Sequence, residues 1–125
     1  MKFTYTGVEV RDLDAAIGFY TKGLGMKLLG RSRIAATGGE VAALKSRGSD
    51  QVLELNWYPR RRYRKGSELD HLAFDVGKDD VNAVIDRLAG LGATRARATE
   101  VREKYIVGFV KDPDGIWLEL YKARR

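Results

Sequence analysis

The chain contains no cysteine and a single histidine. The first absence excludes disulfide frameworks, thiolate zinc sites and cysteine nucleophiles together. Any metal must then be held by His, carboxylate or phenol oxygen. Long apolar runs are missing as well. The longest, such as Ile106 to Val110, fall far short of the ~20 residues that a membrane-spanning helix needs. Met1-Lys2-Phe3-Thr4 opens no signal-peptide apolar region. The expectation is an intracellular, cytoplasmic protein with no membrane partner. What is present is 44% hydrophobic and 32% charged sequence, enough to bury a core and solvate a surface. A length of 125 residues allows one domain, or two half-size units sharing a core. The 23 Lys+Arg against 17 Asp+Glu give a net charge of +6 and a pI of about 9.7. That balance raises nucleic acid or another polyanion as a partner without deciding it.

Two stretches carry the same order of local signals about half the chain apart, roughly 3–58 and 69–122. Phe3 to Val10, Asp12 to Leu24, Gly25 to Leu29 and Val52-Leu53-Glu54-Leu55 are answered in the second half. There the counterparts are Leu69 to Val76, Asp79 to Leu91, Gly92-Ala93 and Trp117-Leu118-Glu119-Leu120. At nearly constant offset Tyr5 matches His71, Val10 matches Val76 and Glu54 matches Glu119. Agreement in order, spacing and element type reads as a duplication, so that one domain is built from two similar modules.

Each half reads as a strand, a helix and three strands. Alternation over Thr4, Thr6, Val8 and Val10 predicts a half-buried strand, and Asp70 to Val76 predicts its counterpart. Asp12 or Asp14 caps a helix whose apolar face is expected to take Leu13, Ile17, Tyr20 and Leu24, ending at Gly25. Val81, Val84, Ile85 and Leu88 define the second helix, ending near Gly92. Gly38-Gly39 separates the arms of a hairpin, Arg31 to Ala36 and Val41 to Leu44. Asp112-Pro113-Asp114-Gly115 turns a second hairpin between Tyr105 to Val110 and Ile116 to Tyr121. Between the halves, the basic run Arg60, Arg61, Arg62, Arg64 and Lys65 lacks apolar periodicity. It reads as an exposed linker, about 59–68, rather than a nucleic-acid contact.

Strand alternation puts Glu54 on a face with Val52, Asn56 and Tyr58, and Glu119 with Trp117 and Tyr121. His71 goes with Leu69, Ala73 and Asp75, and Tyr5 with Phe3, Gly7 and Glu9. If the repeat pairs first and last strands in each half, one face gathers Tyr5, Glu9, Glu54, His71, Asp75 and Glu119. Close carboxylates repel one another unless a cation neutralises them, and a divalent metal is the simplest cation for one His and two carboxylates. The plainer reading leaves Glu54 and Glu119 as solvated residues and His71 as a hydrogen-bonded, half-buried histidine.

With those residues in place the sequence resembles the vicinal oxygen chelate superfamily, within it the glyoxalase I, bleomycin resistance protein and dioxygenase group. The resemblance spans nearly the whole chain. It rests on Val10-Arg11-Asp12-Leu13-Asp14, Phe19-Tyr20, Leu24-Gly25-Met26-Lys27-Leu28-Leu29, Leu53-Glu54-Leu55, Asp70-His71-Leu72-Ala73-Phe74 and Asp112 to Leu120. It implies an α+β fold of two tandem βαβββ modules, a curved mixed sheet forming a cup with helices packed outside. It also implies a divalent metal (Ni, Zn, Mn, Co or Fe) held by Glu54, His71 and Glu119, with Tyr5 at the position where glyoxalase I has a fourth ligand, His. A phenol binds a divalent ion well only as phenolate.

The implied activity is that of a glyoxalase-type lyase or isomerase working on a small oxygenated substrate through a metal-stabilised enediolate, with Glu119 shuttling the proton. Bacterial glyoxalase I places Arg and Asn where this chain has Glu9 and Tyr58, with Asn56 two residues away. A Glu in place of Arg repels a glutathione carboxylate, so strict glutathione specificity is not expected. The alternative is a metal-free, small-molecule-binding protein of the bleomycin-resistance type, stacking a cationic ligand on Trp57, Tyr58, Trp117 and Tyr121. The resemblance also implies a homodimer.

Overall fold

The computed structural model describes residues 3–60, 62–64, 66 and 69–125. Two compact units divide the chain, Met1–Arg64 and Lys65–Arg125. The division falls inside the expected linker. Arg61, Lys65, Ser67 and Glu68 of that linker lie outside the described residues, as do Met1 and Lys2.

Both units repeat one order of elements. The first runs β1 (Tyr5–Glu9), α1 (Leu13–Gly18), β2 (Lys27–Ile34), β3 (Gly39–Lys45) and β4 (Val52–Trp57). The second runs β5 (Leu72–Asp75), α2 (Val81–Gly90), β6 (Thr94–Val101), β7 (Tyr105–Lys111) and β8 (Trp117–Ala123). Each forms a four-stranded sheet, in spatial order β1-β4-β3-β2 and β5-β8-β7-β6. The first strand lies parallel to the fourth and the other pairings are antiparallel. A parallel pair needs a long connection, which the helix and hairpin of each module supply. These are the two α+β modules that the repeat predicts, and the equivalence reaches the register. Gly7 stands opposite Glu54 as Ala73 stands opposite Glu119. The Val10 amide donates to the Asn56 carbonyl, and the Val76 amide to that of Tyr121, both at 2.9 Å.

Alternation decides what each strand buries. Leu53 and Leu55 of β4 and Leu118 and Leu120 of β8 go into the cores, leaving Glu54 and Glu119 half-buried on the opposite faces. Each fully buried Leu contributes roughly 1.5–3 kcal/mol. The helices cover the apolar faces. Asp80 caps α2 by accepting from the Ala83 amide at 3.0 Å, and Val81, Val84, Ile85 and Leu88 are buried as the spacing requires. At Gly108 of β7 the sheet comes so close to α2 that a Cβ would stand 2.7 Å from Ile85 Cδ1.

The first helix departs from expectation. Asp12 caps it through the Ala15 amide at 2.9 Å, but after Gly18 the chain widens into a π-helical turn, Phe19–Gly23. The wider turn adds a residue to the period, and the Thr21 hydroxyl donates to the Ile17 carbonyl at 2.7 Å on the same stretch. The buried set becomes Leu13, Ala16, Phe19 and Tyr20, while Ile17 and Leu24 are only half-buried.

The second hairpin turn is tied from within. Asp112, buried, accepts from the amides of Asp114 at 2.9 Å and Ile116 at 2.8 Å, and Gly115 takes the left-handed conformation, φ 85°, that a side chain resists. No helix among the described residues is long and apolar enough to cross a membrane.

Candidate functional site

His71 immediately precedes β5, whose Leu72 stands opposite Leu118 of β8. The parallel register therefore sets His71 beside Trp117 with Glu119 on the diagonal. The imidazole Nε2 lies 3.3 Å from Glu119 Oε2. On the other side of the ring, Nδ1 lies 2.5 Å from Asp70 Oδ1. An ionised carboxylate only accepts, so Asp70 fixes the proton on Nδ1. In the neutral ring Nε2 then presents a lone pair to the Glu119 carboxylate, and two acceptors face each other at 3.3 Å; in the imidazolium the same contact is an ion pair.

That opposition is relieved by a cation or a proton between the two atoms. Donors ~2.1 Å from a shared ion, at octahedral or tetrahedral angles, are about 3.0–3.4 Å apart, so the observed spacing suits two adjacent ligands. A carboxylate on the far nitrogen of a ligating histidine is the usual orienting partner. The donor chemistry of His71, Glu119 and Asp70 thus fits a divalent metal. The side chains of His71 and Glu119 are 38% and 25% exposed, open enough for a ligand to reach them.

Around this pair the sheet builds a wall. Register carries one row across four strands: Arg97 opposite Phe109, Phe109 opposite Glu119, and Glu119 opposite Ala73. Phe109 meets the His71 ring edge-on at 6.3 Å and the Trp117 ring at 6.1 Å. The Arg97 guanidinium lies over Phe109 at 5.6 Å and Lys111 Nζ over Trp117 at 5.1 Å. A cavity of about 300 Å³ is lined by Asp70, His71, Arg97, Phe109 and Trp117. Ladder irregularities on both sides of Arg97 re-aim its side chain, as bulges beside functional sites do. Its neighbours Arg95 and Arg102 are neutralised by Asp86 and Glu100. Arg97 has no carboxylate partner among the described residues.

The first unit repeats the arrangement in register. Tyr5 stands opposite Val52, with Glu54 two residues further on the same face. Gly7 faces the same way, since a Cβ there would come within 3.2 Å of Asn56 Nδ2 and 4.0 Å of Glu54 Cβ. Tyr5 is 51% exposed. Among the described residues no three His, Asp or Glu side chains stand together as an ion-holding group. Each module contributes its candidate ligands as a pair. Of the other acidic residues expected on this face, Asp75 accepts from the Gly77 amide at 2.8 Å. Glu9 lines a cavity with Arg60, Arg62 and Arg64, so the local charge there is not the negative one expected from Glu9 alone.

Asp70, Arg97 and Phe109 are functional candidates that sequence reasoning did not single out. Asp70 is visible as a carboxylate next to the only histidine. Arg97 and Phe109 reach the site through cross-strand register, which leaves no mark in local sequence. Of the four aromatics proposed to stack on a ligand, Trp117 lines the cavity, whereas Tyr121 packs edge-on against Tyr105 at 5.9 Å.

Comparison with known proteins places these features in company. Residues 2–120 match the Glyoxalase/Bleomycin resistance protein/Dioxygenase superfamily. The chain is 32% identical over 130 residues to a probable lactoylglutathione lyase of Vibrio cholerae, across 99% of this chain and 92% of that protein. Among solved structures it is similar to the trypanothione-dependent glyoxalase I of Leishmania major, with 27% identity and a TM-score of 0.75 over 98% of this chain and 86% of the other. It is also similar to a glyoxylase/bleomycin resistance protein/dioxygenase domain from Frankia, with 28% identity and a TM-score of 0.78 over 99% and 98%.

Proposed function

The chain belongs to the glyoxalase/bleomycin resistance protein/dioxygenase superfamily, and from that premise we propose that it is a metal-dependent lyase or isomerase of the glyoxalase type, acting in the cytoplasm on a small oxygenated substrate. The observation that carries this reading is the opposition of His71 Nε2 and Glu119 Oε2 at 3.3 Å, with Asp70 on Nδ1 and an aromatic wall beside them. His71 and Glu119 are one half of the proposed ligand set. Glu54 and Tyr5 of a first module, from the same chain or from the partner in a homodimer, are the other half. When bound, the ion would supply Lewis-acid polarisation of substrate oxygen.

The remaining chemistry belongs to the side chains. In a 2-oxoaldehyde hemithioacetal, Glu119 takes the proton from the carbon bearing the hydroxyl and thioether groups and returns it to the neighbouring carbonyl carbon, while the hydroxyl proton passes to the former carbonyl oxygen. The substrate is isomerised with no co-reactant, and the carboxylate ends as it began. Asp70 holds the imidazole so that Nε2 stays a donor of electrons. Phe109 and Trp117 limit water at the reacting carbons. Arg97 offers its N–H groups to an anionic oxygen of the substrate.

Glutathione specificity is left out of this reading: Tyr58 stands where bacterial glyoxalase I has Asn, while Glu9, in place of its Arg, shares a cavity with Arg60, Arg62 and Arg64, so its charge alone does not repel a carboxylate. A metal-free binding role for cationic ligands has less support. The π faces of Phe109 and Trp117 already carry this chain's own Arg97 and Lys111.

The test is metal analysis of protein purified without chelator, with melting temperature and turnover of a 2-oxoaldehyde hemithioacetal measured before and after metal removal. Bound metal, a metal-dependent rise in melting temperature and loss of turnover on chelation are expected. Glu119→Gln should lower turnover by about 10²–10⁴-fold. A chain that binds no metal and melts identically with and without added divalent ions would overturn the proposal.

A further inference from the structure

The end of the first sheet gathers charge of one sign. β1 ends at Glu9, in register with Asn56 near the end of its parallel neighbour β4. Beyond β4 the chain turns at Pro59 and Arg60. Arg60 has a positive φ, 60°, unlike any other non-glycine residue described, a conformation that costs an ordinary side chain energy. Past that turn the Tyr63 ring lies under the Arg11 guanidinium, 4.8 Å from its centroid, which ties the segment down between Arg62 and Arg64. Arg60, Arg62 and Arg64 then line, with Glu9, a cavity of about 410 Å³.

Among the described residues, three guanidinium groups against one carboxylate leave this lining with an excess of two positive charges. None of the three arginines has an ion-pair or hydrogen-bond partner among the described residues. Arg31 is paired with Asp14 and Glu40, Arg95 with Asp86 and Arg102 with Glu100, and Arg33 and Arg47, although without a carboxylate partner among the described residues, do not line this cavity. What sets the cavity apart is three unpaired guanidinium groups lining one space. Like charges converging on one cavity repel unless an anion joins them. The guanidinium fork is the side chain best suited to carboxylate and phosphate oxygens.

We propose that the cavity lined by Arg60, Arg62, Arg64 and Glu9 is a binding site for a small polyanion, a molecule carrying two or more negative charges on phosphate or carboxylate groups. Glu9 limits the negative charge the site accepts. The basic run is thereby a ligand-binding segment and more than a solvated linker. The site lies within the first unit and does not depend on the chemistry assigned to His71 and Glu119.

The experiment titrates the full chain with inorganic phosphate, pyrophosphate and citrate at constant ionic strength, by calorimetry and melting temperature. Saturable binding is expected with a dissociation constant below about 1 mM for the multivalent anions, pyrophosphate and citrate separating phosphate from carboxylate preference. The double substitution Arg62→Gln and Arg64→Gln should weaken binding at least tenfold, and Glu9→Gln should strengthen it several-fold. Arg47→Gln together with Arg33→Gln removes the same net charge away from the cavity and should leave binding within twofold. Equal weakening by both double variants would overturn the site, as would absence of saturable binding. Binding only to a long polyanion such as heparin, with steep salt dependence, would also overturn it.

Discussion

Asp70 and His71 adjoin in sequence, yet they contribute to the site in different ways. His71 aims one nitrogen at Glu119, while Asp70, almost fully exposed, holds the other at 2.5 Å. Asp70 is therefore a positioning residue, with its effect transmitted through the ring. Replacing it with Asn keeps the shape and removes the charge. Asp70→Asn should lower metal affinity by about 10–100-fold, read by competition with a coloured chelator, while the melting temperature of the metal-free protein stays unchanged. Unaltered affinity would mean that the ring is oriented without Asp70. Tyr5 is the residue where this chain departs from the glyoxalase pattern. Its register beside Glu54 repeats that of His71 beside Glu119, so the position is retained although its donor chemistry differs.

Turns and strands decide whether these residues meet. The Asp112-Pro113-Asp114-Gly115 turn joins β7 to β8 and so sets the register that puts Phe109 opposite Glu119. Its stability rests on a buried carboxylate. Asp112→Ala would leave the Asp114 and Ile116 amides without their acceptor, and should cost about 2–3 kcal/mol in urea unfolding. Asp112→Asn keeps the accepting oxygen and should cost less. Equal stability of the alanine variant and the parent would refute this account of the turn. The turn was legible beforehand because Pro and Gly have fixed backbone preferences. The π-helical turn at Phe19–Gly23 was not. Its residues also fit an ordinary helix, and the choice between Ile17 and Phe19 for the core depends on what the sheet offers to pack against.

At the scale of the whole molecule, each module supplies two candidate ligands, Tyr5 with Glu54 and His71 with Glu119. The homodimer is proposed on the family resemblance, and light scattering should then give twice the chain mass of 14.0 kDa. A monomer that still binds metal would place the complete set within one chain. The +6 charge is also distributed unevenly at this scale. Surface arginines such as Arg31 and Arg95 are neutralised by carboxylates. Arg60, Arg62, Arg64 and Arg97, which have no carboxylate partner among the described residues, line the two cavities.

The sequence by itself determined the two-module architecture, the strand faces and the positions of Glu54, His71 and Glu119. Alternation and helical spacing are local properties, and a duplication writes them twice. Tertiary structure decided the company those residues keep. Asp70 lies against His71 Nδ1, Arg97 and Phe109 line the second-unit cavity, and Glu9 shares its cavity with arginines rather than with other carboxylates. Those neighbours are set by register and by the course of the chain after a turn, and both are chosen by packing between strands distant in sequence.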